Sequence, residues 1–295
     1  MANEEVDTQV VATERRQARI VLIATILGVV MTMTGLVVQS SGLDPSPADD
    51  AARLVDRVDN FDSIVAGAVL TGIGYILLSG TVLFLFSAAA RRTERVRLTL
   101  RPLVAIGAVL LAISGVVTAL GYDSVATDFT SGDLPTTGEA AADRASDLIG
   151  GSTALQIGAF SGLAGIAAFS FGIIYSSLWG MRTGLLTRFW GTLGIAFGAA
   201  FLLAQILGPI GFLGVLMWLV HVALIGNGRW MGGPLPAWET GTAVPWPDPR
   251  APAPEPEPEE AAAPEDFEGS ATEVAATTRP ARRDNKRKRK RKQRG

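Results

Sequence analysis

Apolar residues in this chain come in long unbroken runs separated by short charged stretches, so hydropathy more than period carries the structural information. Ile20 to Val38, Ile64 to Ala90 and Pro102 to Gly121 are each free of Asp, Glu, Lys and Arg. A helix rises about 1.5 Å per residue, so about 20 apolar residues cross a hydrocarbon core of about 30 Å with every backbone polar group satisfied internally. Leu148 to Met181 is also uncharged and supplies a fourth span over 152–179. Phe189 to Gly228 runs 40 residues without a charge. As one helix it would be about 60 Å long, twice the core, so it must fold back. Leu207-Gly208-Pro209-Ile210-Gly211 is the natural turn, because proline interrupts the helical ladder and glycine accepts the dihedrals. The pattern predicts an all-α polytopic membrane protein whose domain, 20–226, has six transmembrane helices at 20–38, 64–90, 102–121, 152–179, 189–207 and 211–226.

The charges between the runs orient them, since Lys and Arg beside a span are retained on the cytoplasmic side. Arg15, Arg16 and Arg19 precede the first span, Arg91, Arg92, Arg95, Arg97 and Arg101 follow the second, and Arg182 and Arg188 follow the fourth. The first loop sets only Arg53 and Arg57 among six aspartates, and the third sets Arg144 among six acids. Both termini, the segment 1–19 included, are therefore expected in the cytoplasm. The acid-bearing N-terminal segment and the full-length apolar run argue for a retained span in place of a cleaved signal peptide.

Sliding the chain by 91 residues superposes Arg53 on Arg144, Gly67-Ala68 on Gly158-Ala159, Gly74 on Gly165, Arg91 on Arg182 and Gly107-Ala108 on Gly198-Ala199. This predicts a parallel repeat of two helical hairpins, spans two and three and then spans four and five. Each unit opens on a hydroxyl with an acid three residues later, Ser46 with Asp49 and Thr136 with Glu139, which reads as a capping box ahead of a short helix. Ala51, Leu54, Val55, Val58 and Phe61 follow the first at helical spacing, the signature of an amphipathic helix lying on the membrane surface.

Composition removes whole classes of chemistry. No cysteine is present and His221 is the one histidine; a disulfide framework, a thiolate zinc site, a Cys nucleophile and a His-rich metal site are excluded, and no cofactor is expected. No Asp, Glu, Lys or Arg falls within a span, which argues against an ion-coupled carrier needing an ionisable group near the midplane. Among the neutral polar residues, Tyr75, Gln156 and Gln205 mark where a polar cavity between the repeat hairpins would lie. The glycine pairs Gly158/Gly162 and Gly194/Gly198 read as close-packing surfaces within the bundle.

Ser161, in Ala159-Phe160-Ser161-Gly162 on span four, and His221 on span six resemble the Gly-x-Ser-Gly nucleophile and histidine base of rhomboid intramembrane proteases. That resemblance implies a six-span core with Ser161 and His221 as a catalytic pair. Ala159 stands where the family has glycine, and span two offers no His or Asn oxyanion donor. The residues themselves read as helix contacts of a non-enzymatic protein.

Beyond Gly226, Trp230, Trp238 and Trp246 alternate with Pro and Gly, so residues 227–248 are expected to be non-helical and extended along the interface as a tryptophan anchor. Pro-Ala-Trp-Glu…Ala-Val-Pro-Trp-Pro, Pro236 to Pro247, resembles a motif after the last span of uncharacterised bacterial multi-pass membrane proteins, which implies a bacterial cell membrane and no particular activity. Residues 249–278 are Pro/Ala/Glu-rich and predicted to be disordered. Residues 1–278 hold 15 basic and 27 acidic groups, whereas 279–295 hold 11 basic groups and Asp284 alone. Within that tail, Arg282, Arg283, Lys286, Arg287, Lys288, Arg289, Lys290, Arg291, Lys292 and Arg294 are candidate contacts to anionic lipid headgroups, with ribosomal RNA or DNA as the alternative polyanion. The reading is a membrane scaffold or interaction protein, its protein partner unspecified, with a small-solute or lipid carrier as the alternative.

Overall fold

Long uncharged runs become long helices because nothing in them breaks the backbone ladder. The computed structural model describes residues 2–203, 209–230 and 233–246, and every regular element among them is helical. The chain divides into compact units 1–247 and 248–295. The second, with all of the acidic linker and the polybasic tail, lies outside the described residues, as do Gln205 and the Leu207-Gly208 turn.

In chain order the helices are α1 (Ala2–Ser40), α2 (Asp50–Asp59), α3 (Phe61–Arg92), α4 (Arg101–Thr130), α5 (Glu139–Gly151), α6 (Thr153–Arg182), α7 (Arg188–Leu202), α8 (Pro209–Gly226) and α9 (Pro236–Thr240). Four apolar stretches, Gln9–Ser40, Phe61–Arg92, Leu98–Thr130 and Thr153–Arg182, are long and apolar enough to cross a membrane. Six were expected. The shortfall lies in α7 and α8, shorter apolar helices of 15 and 18 residues. α7 ends at Leu202, so its length is about 22 Å, less than a hydrocarbon core.

The membrane-length helices pack as an antiparallel series, α1 on α3, α3 on α4 and α4 on α6, which α7 and α8 extend and close back onto α1 and α3. α3 is the most enclosed, with 50% of its apolar window buried against 28–33% for the other three. Glycine sets the closest crossings. On α1 and α3, Gly35 lies against Gly67 and Gly28 against Gly74; on α4 and α6, Gly158 lies against Thr118 and Gly165 against Leu111 and Gly107. Gly67 and Gly74, and their 91-residue counterparts Gly158 and Gly165, thus each face the long helix preceding their own. Gly194 and Gly198 of α7 face Ser177 and Ile173 of α6, so both sequence-marked glycine pairs are spent inside the bundle.

Local signals were misread at the acid-rich end. Asp49, not Ser46, caps α2, its carboxylate accepting from the Ala52 N–H at 2.8 Å. α5 starts at Glu139 behind Gly138, so Thr136 does not cap it. A carboxylate is the stronger acceptor for the orphan N–H groups of a first turn, and it displaces the hydroxyl upstream. α2 buries part of its apolar face inside the fold, through Ala51 and Leu54, while Val55 and Val58 stay exposed. α4 continues nine residues past the expected end at Gly121 and presents Val125, Ala126 and Phe129, against which Ala51, Leu54, Ala141 and Ala145 are buried. Arg57 lies 4.0 Å over the Tyr122 ring and Arg144 4.5 Å over Phe129. Burial pushes the Arg57 guanidinium below its ordinary pKa, partly offset by Tyr122.

Candidate functional site

α7 and α8 fill only part of the bundle's length, and the space left beyond them is the site. The far end of α7 is fixed by Phe201, whose ring lies 6.4 Å edge-on from Phe169 of α6, and the near end of α8 by Phe212, 6.3 Å edge-on from Tyr75 of α3. From Phe169 back to Thr153, α6 runs about 24 Å further toward the acid-rich end. There α1, α3, α4, α5 and α6 line a cavity of about 840 Å³.

Its polar groups are Gln39, Thr71, Tyr75, Ser114, Thr118, Tyr122 and Gln156, and no charged side chain lines it. Tyr75 and Gln156, singled out in the sequence, share this cavity; Gln205 lies outside the described residues. Several valences are already used. Ser114 Oγ donates to the Gly158 carbonyl at 2.7 Å, and Gln156 Nε2 to Gly150 O at 3.1 Å. Thr71 Oγ1 is buried without a hydrogen-bond partner, but it is turned to Gly35 in the α1–α3 crossing and does not open into the cavity. Aliphatic and small residues, Leu36, Leu111, Leu163 and Ile166 among them, complete the wall. Neutral donors and acceptors over an apolar wall fit an uncharged amphipathic molecule, and offer neither a cation nor a carboxylate its counter-charge. Ser114 and Thr118 lie four apart on α4 and turn their hydroxyls to Gly162 and Gly158 of α6, as Thr71 on α3 turns its own to Gly35 of α1; small hydroxyl residues in membrane helices read as such contacts, so the sequence carried no signal that these residues border a cavity.

Ser161 and His221 are not brought together. Ser161 Oγ donates to Gly158 O at 3.0 Å, and His221 Nδ1 lies 2.8 Å from Met217 O with its ring stacked on Trp190 at 4.2 Å. Trp190 opens α7 beside the arginine-rich end of α6, whereas Ser161 is 21 residues, about 31 Å of helix, from Arg182 at that same end. Among the described residues no group of three or more His, Cys, Asp and Glu could hold a metal ion.

The arginine-rich end carries a second assembly, in which the Trp/Pro segment expected to be non-helical forms a short helix at 236–240. Pro236–Thr240 is helical, and Trp238 is buried. Proline is tolerated in a first helical turn, and Gly241, at φ 73°, ends this one. The Trp238 indole stacks on Phe84 at 5.5 Å and donates to Leu185 O at 2.9 Å, while Trp246 donates to Leu186 O at 3.0 Å. The Val244 N–H reaches Thr183 O at 3.1 Å. Ala237 O accepts from Arg92 Nη2 at 2.7 Å, and Arg92 in turn holds both oxygens of Glu14 at 2.9 Å. The segment is therefore a latch over α1, the end of α3 and the α6–α7 loop. Each indole N–H needed a partner, and the carbonyls of buried Leu185 and Leu186 in the α6–α7 loop supplied it.

No protein family, curated protein or solved structure shows a significant match to this chain.

Proposed function

We propose that this protein is a non-enzymatic integral membrane protein that binds an uncharged amphipathic molecule, lipid or small solute, in the cavity between α1, α3, α4 and α6. The observation that carries this reading is an 840 Å³ cavity whose lining holds seven neutral polar residues and no charged side chain. A pure scaffold has no need of such a space. For transport, α7 and α8 would have to move, since Phe169, Phe201, Phe212 and Tyr75 close the cavity toward the arginine-rich end.

Filling the cavity tests the binding reading. A Cβ on Gly115 comes no closer than 3.9 Å to Ala68, so Gly115→Phe should fold and occupy the void. Organic extracts of purified wild-type protein are expected to contain one neutral amphiphile near one per chain, reduced at least tenfold in the variant, a difference of about 1.4 kcal/mol or more. Equal, trace amounts in both would return the scaffold reading.

The arginine distribution supports a topology with both termini in the cytoplasm of a bacterial cell. Because α7 and α8 leave and return to the same end, this orientation follows whether or not they cross completely. The chain has no cysteine, so Thr118→Cys can be labelled alone. It should react in intact cells with a membrane-impermeant thiol reagent, and a cysteine replacing Thr240 should react only after lysis. The reverse pattern would invert the protein. The polybasic tail, Arg282 to Arg294, we take as a contact to anionic headgroups, with nucleic acid as the competing polyanion.

A further inference from the structure

A cleft of about 470 Å³ opens at the arginine-rich end of the bundle, between α1, the last three turns of α3 and the start of α4. Its two halves differ in chemistry. Ile20, Val21, Gly80, Leu83 and Phe84 form an apolar trough, and Gln17, Ser87, Arg91 and Arg101 stand around its mouth. A Cβ on Gly80 would meet nothing within 4 Å, so the trough is open down to the helix backbone. Gly80 and Arg91 are 11 residues apart on one helix, which separates trough floor from charged mouth by about 16 Å.

The charge at the mouth is unbalanced. Glu14 is shared between Arg91, at 3.1 Å, and Arg92, at 2.9 Å, and Arg101 has no salt bridge among the described residues. Of these, Arg91 and Arg101 line the cleft and no acid does; Arg92 is buried behind it with Glu14. Arg91 is preorganised, since Gln17 Oε1 accepts from its Nη2 at 3.1 Å while Glu14 holds Nη1. Ile20 and Leu98, 62% and 58% exposed, flank the opening with apolar surface that only a hydrocarbon environment covers at no cost.

We propose that this cleft binds one anionic phospholipid from the adjacent leaflet, its phosphate between Arg91 and Arg101 and one acyl chain along the trough past Gly80. Guanidinium groups match phosphate oxygens in geometry as well as charge, and a bilayer presents the headgroup at the same depth as the last turn of α3. The site is separate from the neutral cavity nearer the acid-rich end and from the C-terminal tail, and it stands or falls independently of both.

Full-length protein in detergent would be titrated with palmitoyl-oleoyl phosphatidylglycerol, with the matched phosphatidylcholine, and with phosphatidylglycerol in the presence of inorganic phosphate; native mass spectrometry counts lipids retained per chain. The tail is identical in every variant, so the cleft is read by Gly80→Leu, which fills the trough without altering charge, and by Arg101→Gln, which removes a cation that no described partner depends on. The first phosphatidylglycerol should bind at about tenfold lower concentration than phosphatidylcholine, and each substitution should weaken it by about tenfold. Equal retention of the two lipids overturns the proposal, as does wild-type binding by either variant. Displacement of the lipid by millimolar phosphate alone would reassign the mouth to a free anion and overturn it too.

Discussion

Glu14→Ala should lower the thermal unfolding midpoint of the purified protein by about 10 °C. The Arg92 side chain is fully buried and Glu14 is 2% exposed, so the substitution strands a guanidinium in a site with no water to solvate it. Breaking one partner of such a pair costs about 3–5 kcal/mol, and for a folded unit of this size each kcal/mol moves the midpoint by about 2–4 °C. Removing both charges is a different experiment. Glu14→Leu with Arg92→Met replaces the pair by apolar groups of similar volume and should recover most of the loss, although Ala237 O then loses its donor. The latch gives a second readout, because Arg92 lies 5.3 Å under the Trp238 ring and bonds the residue before it. Near-ultraviolet circular dichroism of the buried indole should weaken in the single variant and return in the double. A single variant that melts within 2 °C of wild type, with an unchanged indole signal, would show that the pair does not hold the latch.

The long helices were legible because membrane solvation forces the same solution on any uncharged run of sufficient length. Helix ends were not. α4 runs on through Tyr122–Thr130 because that segment, polar enough to read as a loop, repeats Val125, Ala126 and Phe129 on one face and finds α2 and α5 to cover it. The first 19 residues read as a separate charged segment, yet α1 continues back to Ala2 without a glycine or proline to stop it before Gly28. Glu14 sits on this extension. Its sequence neighbours are arginines, and the partners that bury it, Arg91 and Arg92, are nearly 80 positions away, so its role was invisible to local pattern.

The candidate site was half legible for a related reason. Tyr75 and Gln156 stood out as polar residues in apolar spans, but their neighbours Thr71, Ser114 and Thr118 looked like ordinary helix hydroxyls. What makes them a site is the space they border at the acid-rich end, beyond the described residues of α7 and α8, and no single residue encodes it. The Trp/Pro motif failed in the opposite direction. Proline and glycine argued against a helix, but one proline at a first turn and one glycine at a left-handed end are the two places where a short helix accepts them.

The glycine crossing of α1 and α3 yields the sharpest contrast between substitutions of equal size. An ideal Cβ on Gly35 would lie 2.6 Å from Gly67 O and 2.7 Å from the Thr71 nitrogen, and one on Gly67 would lie 2.6 Å from the Gln39 nitrogen. These neighbours are backbone atoms, which cannot rotate aside, so the helices must separate along the whole crossing. In a membrane that separation is not opposed by any hydrophobic force between helices, since lipid is as apolar as the side chains; association rests on van der Waals contact and is lost with distance. Overpacking of this kind costs about 1–3 kcal/mol for one methyl group, and Gly67→Ala with Gly35→Ala, sharing one contact, should be less than additive. Gly80→Ala adds the same methyl group to the same helix where nothing lies within 4 Å, and should cost nothing measurable or stabilise slightly through helix propensity. Thermal midpoints in one detergent rank the three variants: Gly67→Ala and Gly35→Ala well below wild type, Gly80→Ala level with it. Equal midpoints for Gly67→Ala and Gly80→Ala would mean that α1 and α3 do not touch backbone to backbone, and the position of Gln39 at the mouth of the neutral cavity would have to be redrawn with them.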